Sequence, residues 1–464
     1  MSDWKKYKLG ELLELVIDHR GKTPKKLGFD DFHSNGYPVL SAKHVKTSGL
    51  INLDVMRFAK QEMYEKWMKI PTKKGDIVLT SEAPLGELFY IDGSTQYLLG
   101  QRVFGLRPNT TLVNPMYLFA WLSSSKGQSA LQARATGSTV QGIKQSELLN
   151  IELSIPNLIE QVKVADNLFS LNNKIQLNTQ INQTLEQIAQ AIFKSWFVDF
   201  EPTRAKATAL AAGKTQAEAE LSAMQVISGK TAEELTTLAQ TNPQQYTQLT
   251  EIAKAFPSEL VETEMGEIPL GWERTSITDK RICEIIKPKI HIFEGEKNYI
   301  ATANISKNSI VGTLEKITYE NRPSRANMQP TINSIWFAKM VGEHKAILID
   351  KDDKLLLENT ILSTGFLGLK PQENTKSFLY CFINSDYFIL SKNQLATGAV
   401  QIALNNSSFA KIEVILPKKE ILKVFEETVS SLYSKISQNQ RENKALSETR
   451  DLLLSKLLSG EIHL

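Results

Sequence analysis

The 464-residue sequence predicts an α+β protein: two mixed α/β domains in a pseudo-twofold arrangement, separated by two long antiparallel coiled-coil helices, with a small helical insert. Three observations carry that expectation. A block of sequence recurs at long interval, a heptad pattern follows each copy, and an Ala-rich segment after the first heptad run has no counterpart after the second.

The repeat is clearest in ATGSTVQGIKQSELLNIELSIP (135–156) and ATGAVQIALNNSSFAKIEVILP (396–417). Ala135-Thr136-Gly137 maps onto Ala396-Thr397-Gly398, Ile151-Glu152 onto Ile412-Glu413 and Pro156 onto Pro417, all at an offset of 261. YLFAWLSS (117–124) answers FLYCFINS (378–385) at the same offset, VFGLRP (103–108) answers FLGLKP (366–371), and VLSAKHVKTSGLIN (39–52) follows the pattern of YIATANISKNSIVG (299–312). Trp4 answers Trp272. So long a period means a duplicated domain with its connector, since solenoid repeats run to about 20–50 residues.

Within the copies, GDIVLT (75–80), ELFYID (87–92) and HKAILID (344–350) read as strands, being β-branched or aromatic runs between turn residues. PMYLFAWLSSSKGQSALQA (115–133) reads as a helix with Asn114 as its cap and Pro115 in its first turn. After each closing Pro the period changes. Val164, Leu168, Leu171, Ile175, Asn178, Asn182, Leu185, Ala189, Ile192 and Trp196 alternate steps of four and three, a heptad seam. The same seam recurs as Phe425, Val429, Leu432, Ile436, Asn439, Asn443, Leu446, Arg450, Leu453 and Leu457. A helix of about 38 residues would run about 57 Å at 1.5 Å per residue.

Packed antiparallel, the two helices set Asn178 opposite Asn443, Asn182 opposite Asn439, Ile175 opposite Leu446 and Trp196 opposite Phe425. A slip would bury amides against leucine, so the polar layer fixes register at some expense in stability. In this arrangement Arg450 falls opposite Leu171, its stem lying along the seam. Two amphipathic helices, each docked on its own domain, are the alternative.

Residues 201–265 complete the plan. TRAKATALAAGKTQAEAELSAMQ is strongly helical by propensity, TAEE (231–234) is a capping box, and NPQQYTQLTEIAKAF opens on Asn242 and Pro243 and stops before Pro257. The expected boundaries are 1–156 for the first α/β domain, 157–200 for the first long helix, 201–265 for the insert, 266–417 for the second α/β domain and 418–464 for the second long helix.

Hydrophobic content of 42% and charged content of 23% are ordinary for a globular protein. Two cysteines, Cys283 and Cys381, give no disulfide framework. With no signal-like start and no apolar run of membrane-spanning length, the expected location is the cytoplasm. Net charge is only +3, but residues 1–75 hold 15 Lys and Arg against 9 Asp and Glu, whereas 201–265 hold 5 against 9. A surface for phosphates should therefore lie outside the insert.

Catalytic motifs are missing. Gly213-Lys214-Thr215 and Gly229-Lys230-Thr231 resemble the end of a phosphate loop, but Thr208 and Met224 stand where its first glycine belongs. NPMY (114–117) resembles an adenine-methyltransferase loop without its second proline, and already serves as a helix start. The six histidines are scattered without ligand spacing, and DKDDK (350–354) is a solvated turn. The expectation is a protein that positions rather than reacts, with no catalytic residue, no metal and no cofactor of its own.

KSWFVDFEPTRAKA (194–207) with FPSELVETEMGEIPLGWE (256–273) resembles the central junction of type I restriction–modification specificity subunits. RGKTP (20–24), LSAKHVKTSGLI (40–51) and GDIVLTSEAPLG (75–86) resemble that family's first target-recognition domain, and TRDLLLSKLLSGEI (449–462) its C-terminal helix. The second recognition domain matches mainly at its edges. The resemblance implies that each domain reads one half of a split double-stranded DNA site while the helices set the spacing. It implies two modification (methyltransferase) subunits docked on the helices, and restriction (endonuclease, translocase) subunits added to them. S-adenosylmethionine, ATP and Mg would be held by those partner subunits.

Candidate readers are loop residues able to pair with bases or phosphates. They are Arg20, Lys22, Lys43, His44, Lys46, Ser138, Thr139, Gln141 and Lys144 in the first half, and Asn304, Lys307, Arg322, Arg325, Asn327, Gln401, Asn405 and Asn406 in the second. Thr136-Gly137 and Thr397-Gly398 suit tight turns that bring backbone amides near phosphate. Two competing readings are a coiled-coil protein-interaction scaffold without DNA specificity and a self-sufficient enzyme. Salt-sensitive, sequence-selective DNA binding separates the favoured reading from the scaffold; methyl transfer by the lone chain would establish the enzyme.

Overall fold

The computed structural model describes residues 4–47, 49–137, 140–263, 266–398 and 402–459, the side chains of residues 455, 458 and 459 excepted. The chain divides into two compact units, Met1–Asn178 with Arg441–Leu464, and Thr179–Gln440. The division falls within both long helices, Leu158–Phe197 and Lys419–Ser459. The first unit is therefore completed by chain from a distant part of the sequence, whereas the second is one continuous segment.

The units repeat one topology. In the first, a four-stranded antiparallel sheet has the order Leu13–Asp18, Val103–Pro108, Ile77–Thr80, Leu88–Tyr90. In the second, Cys283–Ile286, Phe366–Pro371, Ser334–Ala338 and Ala346–Ile349 stand in the same order. Each sheet is buried on both faces, and alternate residues feed different cores. Ile77 and Leu79 join the cluster around Trp121, whereas Val78 joins the one around Trp67. Ile335 and Phe337 likewise face away from Trp336 and Ala338.

The repeated glycine of VFGLRP and FLGLKP follows from this crowding. A Cβ on Gly105 would come within 2.6 Å of Leu99, and one on Gly368 within 2.5 Å of the Trp336 ring. A buried ion pair fixes the first sheet: Arg107 donates from Nε and Nη2 to the two Asp76 oxygens, at 2.8 Å each, and to the Pro71 carbonyl. In each unit a short antiparallel pair ties the domain's first strand to its last, Lys5–Lys8 with Glu152–Ile155 and Glu273–Ser276 with Glu413–Leu416.

The helix expected over 115–133 is broken at Ser124, which leaves Pro115–Ser123 and Ser125–Ala133. Ser124 is extended, and its hydroxyl accepts from the Gly127 amide, capping the second piece. Ser385, at the repeat offset, caps Asp386–Leu395 in the same way. The insert forms four helices, Glu201–Ala211, Gln216–Ser228, Ala232–Thr241 and Pro243–Ala255. Thr231 with Glu234, and Asn242, cap as the sequence indicates. Buried Lys206 donates to the Ala253 and Phe256 carbonyls, placing a cation at a helix C-terminus.

Both heptad seams are buried or half-buried at every position. In the first unit Val164 and Leu168 share a core with Leu454 and Leu457, and Asn178 Nδ2 donates to Asn443 Oδ1 at 2.9 Å. In the second, Asn439 Nδ2 donates to Asn182 Oδ1 at 2.8 Å, and the Trp196 and Phe425 rings lie 5.6 Å apart. The pairing is antiparallel in each unit. Arg450 does more than lay its stem along the seam: its guanidinium reaches Asn172 Oδ1 at 3.0 Å. Asn439 is 1% exposed, so Asn439→Leu leaves the Asn182 amide oxygen without its donor. That change should cost about 1–3 kcal/mol, read as a lower urea midpoint. Asn182→Leu with Asn439→Leu should recover most of the loss, because both partners are then apolar.

Candidate nucleic-acid interface

The repeated Ala-Thr-Gly segments form matching lassos. Thr136 and Gly142 exchange backbone hydrogen bonds of 2.8 and 2.9 Å, and Thr397 and Ala403 exchange two of 3.1 Å. Each loop leaves Thr through a glycine of positive φ, +111° at Gly137 and +143° at Gly398. At Gly137 a Cβ would also come within 2.3 Å of the Val140 carbonyl. Each lasso is hung on the end of a sheet strand, by Ile143 N to Ser81 O at 3.0 Å and by Leu404 N to Lys339 O at 2.9 Å. Each then enters a short helix, Gln145–Leu149 or Asn406–Phe409.

In the first unit the lasso borders a shallow concavity that brings together Arg20, Ser81, Glu82, Thr136, Gly142 and Lys144. Arg20 is locked there. Its Nε and Nη2 donate to Asp18 at 2.9 and 2.8 Å, and its guanidinium carbon lies 3.9 Å from the Phe104 ring centroid. Burial would raise the Asp18 carboxyl, but the hydrogen bonds and charge of Arg20 outweigh it and hold the group below its ordinary value. Gln101 clamps the following turn by accepting from Gly21 N and donating to the Lys22 carbonyl.

Thr136, Gly137, Gln141 and Lys144 are exposed on or beside the lasso, as is Lys43 on a separate loop. One other choice is corrected. His44 is 2% exposed, and its Nδ1 accepts from the Ser41 amide, so it faces the core and not a base. Burial first, then the charges of Lys43 and Arg57, pushes it down to about 4. Lys22 donates to the Trp67 carbonyl at 2.7 Å, and Lys46 pairs with Glu87 at 2.7 Å. Both ammonium groups are engaged within the fold, as the Arg20 guanidinium is by Asp18.

In the second unit Lys307, Arg325, Asn327, Thr397, Gly398 and Asn406 are exposed. Asn304 and Asn405 also hold turns, accepting from the Ala301 and Ser408 amides, and Asn405 is exposed. Arg322 lies over the Tyr319 ring and donates to the Tyr319 carbonyl. Ser138, Thr139 and Gln401 lie outside the described residues.

Sequence reasoning missed Asp18, Gln101, Lys287 and Lys339. Asp18 carried a signal, standing two residues before Arg20; Lys339 carried none, coming directly after the buried strand Ser334–Ala338. Burial holds the Lys339 ammonium below its usual value, and the neighbouring charges of Lys287 and Arg325 add to the effect. Among the described residues no group of His, Cys, Asp or Glu is placed to hold a metal, and no helix is long and apolar enough to cross a membrane.

The family model for the type I restriction modification DNA specificity domain matches residues 1–187. Over the whole of both chains, the sequence is 34% identical to the type I restriction enzyme HindI specificity subunit of Haemophilus influenzae. It is 25% identical to the MjaIX specificity subunit of Methanocaldococcus jannaschii, over 84% of this chain and 78% of that one. A solved S subunit of a type I restriction-modification system from M. genitalium shares the fold, with TM-score 0.52 at 15% identity over 98% of this chain and 96% of its own.

Gly137→Ala should open the first lasso, seen as faster hydrogen exchange at the Thr136 and Gly142 amides with little change in thermal midpoint. For His44, the folded value near 4 lies below the 6.5 of the free side chain. The unfolded chain then binds the extra proton between those values, so stability is full above about pH 6.5 and declines as pH falls toward 4. Replacing His44 with Gln should flatten that decline in thermal midpoints measured from pH 7 to 4.5.

Proposed function

Because the chain belongs to the type I restriction–modification DNA specificity subunits, we propose that its two lassos are the reading heads for the unlike halves of a bipartite DNA site. The protein supplies sequence specificity and carries no catalytic step. The observation that supports this division of labour is the duplicated lasso, built on the same strand order in each unit but lined by different side chains. An unchanged frame places backbone amides beside DNA, while the variable lining selects bases.

In this reading Arg20, Lys43, Gln141 and Lys144, with the Thr136-Gly137 turn, meet the first half-site. Lys307, Arg325, Asn327 and Asn406, with Thr397-Gly398, meet the second. The long helices set the number of base pairs between the halves and dock two modification subunits, to which restriction subunits are added. S-adenosylmethionine, ATP and Mg belong to those partners, which perform adenine-N6 methylation and ATP-dependent cleavage.

Mapping methylated adenines in a genome that expresses this chain with its modification partner should give a split motif with two dissimilar halves. A continuous motif would refute the proposal. Inserting one heptad in each long helix adds about 10.5 Å of rod. That is about three base pairs at 3.4 Å each, and both half-sites should persist around the longer gap.

A further inference from the structure

Beside the second lasso three cations, Lys339, Lys287 and Arg325, come near one another. Lys339 directly follows the strand Ser334–Ala338, its amide bound to the Gly365 carbonyl at 3.1 Å and its carbonyl to the Leu404 amide at 2.9 Å. Arg325 meets the same turn, its carbonyl accepting from Thr364 at 2.8 Å. Lys287 follows the strand Cys283–Ile286, whose last residue pairs with Gly368. Among the described residues neither Lys287 nor Lys339 forms an ion pair.

The first unit fills the same wall differently. Gly105 pairs with Ile17 there as Gly368 pairs with Ile286 here, so Asp18 occupies the position of Lys287. Ser81 accepts from the lasso as Lys339 does, so a small neutral side chain stands where the second unit has a lysine. The next residue is Glu82, paired with Arg102 at 3.0 Å. Asp18 and Glu82 thus bring carboxylates to the first wall, whereas among the described residues no carboxylate pairs with Lys287 or Lys339 of the second.

We propose that Lys339 and Lys287, with Arg325, grip a DNA phosphate beside the second half-site, a contact the first head lacks. This rests on the reading of the lassos as DNA-binding heads. Like charges gathered around a half-buried lysine raise the free energy of the empty protein, and an anion relieves them. Lys339 is half-buried, and that burial first, then the charges of Lys287 and Arg325, lowers its ammonium, as fits a site that waits for such a partner. A phosphate grip contributes to affinity for every sequence alike and supplies no base preference.

The test is a salt titration of DNA binding by the full chain in complex with its modification subunits. Lys339→Gln should weaken binding to specific and nonspecific duplexes alike. It should reduce the slope of log K against log salt by about 0.9, leave the methylated motif unchanged, and leave the thermal midpoint unchanged or higher. Lys339→Arg should keep the parental slope, and Lys287→Gln should behave as Lys339→Gln does. An unaltered slope and affinity would overturn the proposal, as would lost selectivity at one base of the second half-site, which would make Lys339 a base reader. If the parental complex binds DNA without sequence selectivity, the underlying reading fails as well.

Discussion

Two amide pairs in the antiparallel helices hold the architecture in register. Asn178 meets Asn443 in one unit and Asn439 meets Asn182 in the other, both inside seams otherwise lined largely by apolar side chains. An amide buried against leucine forfeits its hydrogen bonds, so any sliding of one helix along the other is opposed at this layer first. The layer also keeps the mark of the duplication: Asn178 and Asn439 are repeat equivalents, as are Asn182 and Asn443. Each pair therefore joins one residue of each class, and the two pairs are chemically alike.

The consequences run outward into both cores. Leu454 and Leu457 close the apolar cluster around Trp121 only if the second helix returns at the correct height. In the other unit the junction residues Phe193, Trp196, Phe197 and Phe200 meet Phe378, Phe425 and Trp272 with ring centroids about 5–6 Å apart, the spacing at which edge-to-face pairs are favourable. A sequence as specific as KSWFVDF is thus a packing solution, fixed by how many rings must share one core.

What was legible in the sequence was whatever the backbone itself dictates. Thr-Gly before the lassos, Asn114-Pro115, the capping box at Thr231 and the heptad asparagines each impose a local geometry, and Thr-Gly and the asparagines recur in both copies. The break at Ser124 was hidden, since Ser124 within LSSSKGQ is an acceptable helix residue until its hydroxyl caps the next turn. Side-chain function was harder to see. His44 sits in AKHVK, which reads as a basic loop, yet its ring is buried; Lys22 and Lys46 look like free cations until Trp67 and Glu87 are folded against them. Burial and pairing are settled by residues 40 to 45 positions away, and no local pattern reports them.

The same distinction separates affinity from selectivity. The first 75 residues carry a positive excess, but several of those cations are already engaged: Arg20 with Asp18, Lys46 with Glu87, Arg57 with Asp31, Lys66 with Glu62 and Lys73 with Glu14. A cation paired in this way adds little to long-range attraction, because the carboxylate cancels most of its field at distances well beyond the separation of the pair, and salt screens the remainder within about a Debye length of 8–10 Å. Pairing gives direction instead. With Nε and Nη2 held by Asp18 and its face on Phe104, Arg20 can present only its remaining edge, in one orientation. That is the property a base contact requires, since discrimination depends on donors arriving at fixed angles. A clustered cation without a carboxylate has the opposite virtues: a strong field and little directional demand. Local charge is therefore a poor guide to where a protein reads DNA, and the carboxylates that appear to spoil a basic surface are what make selective contacts possible.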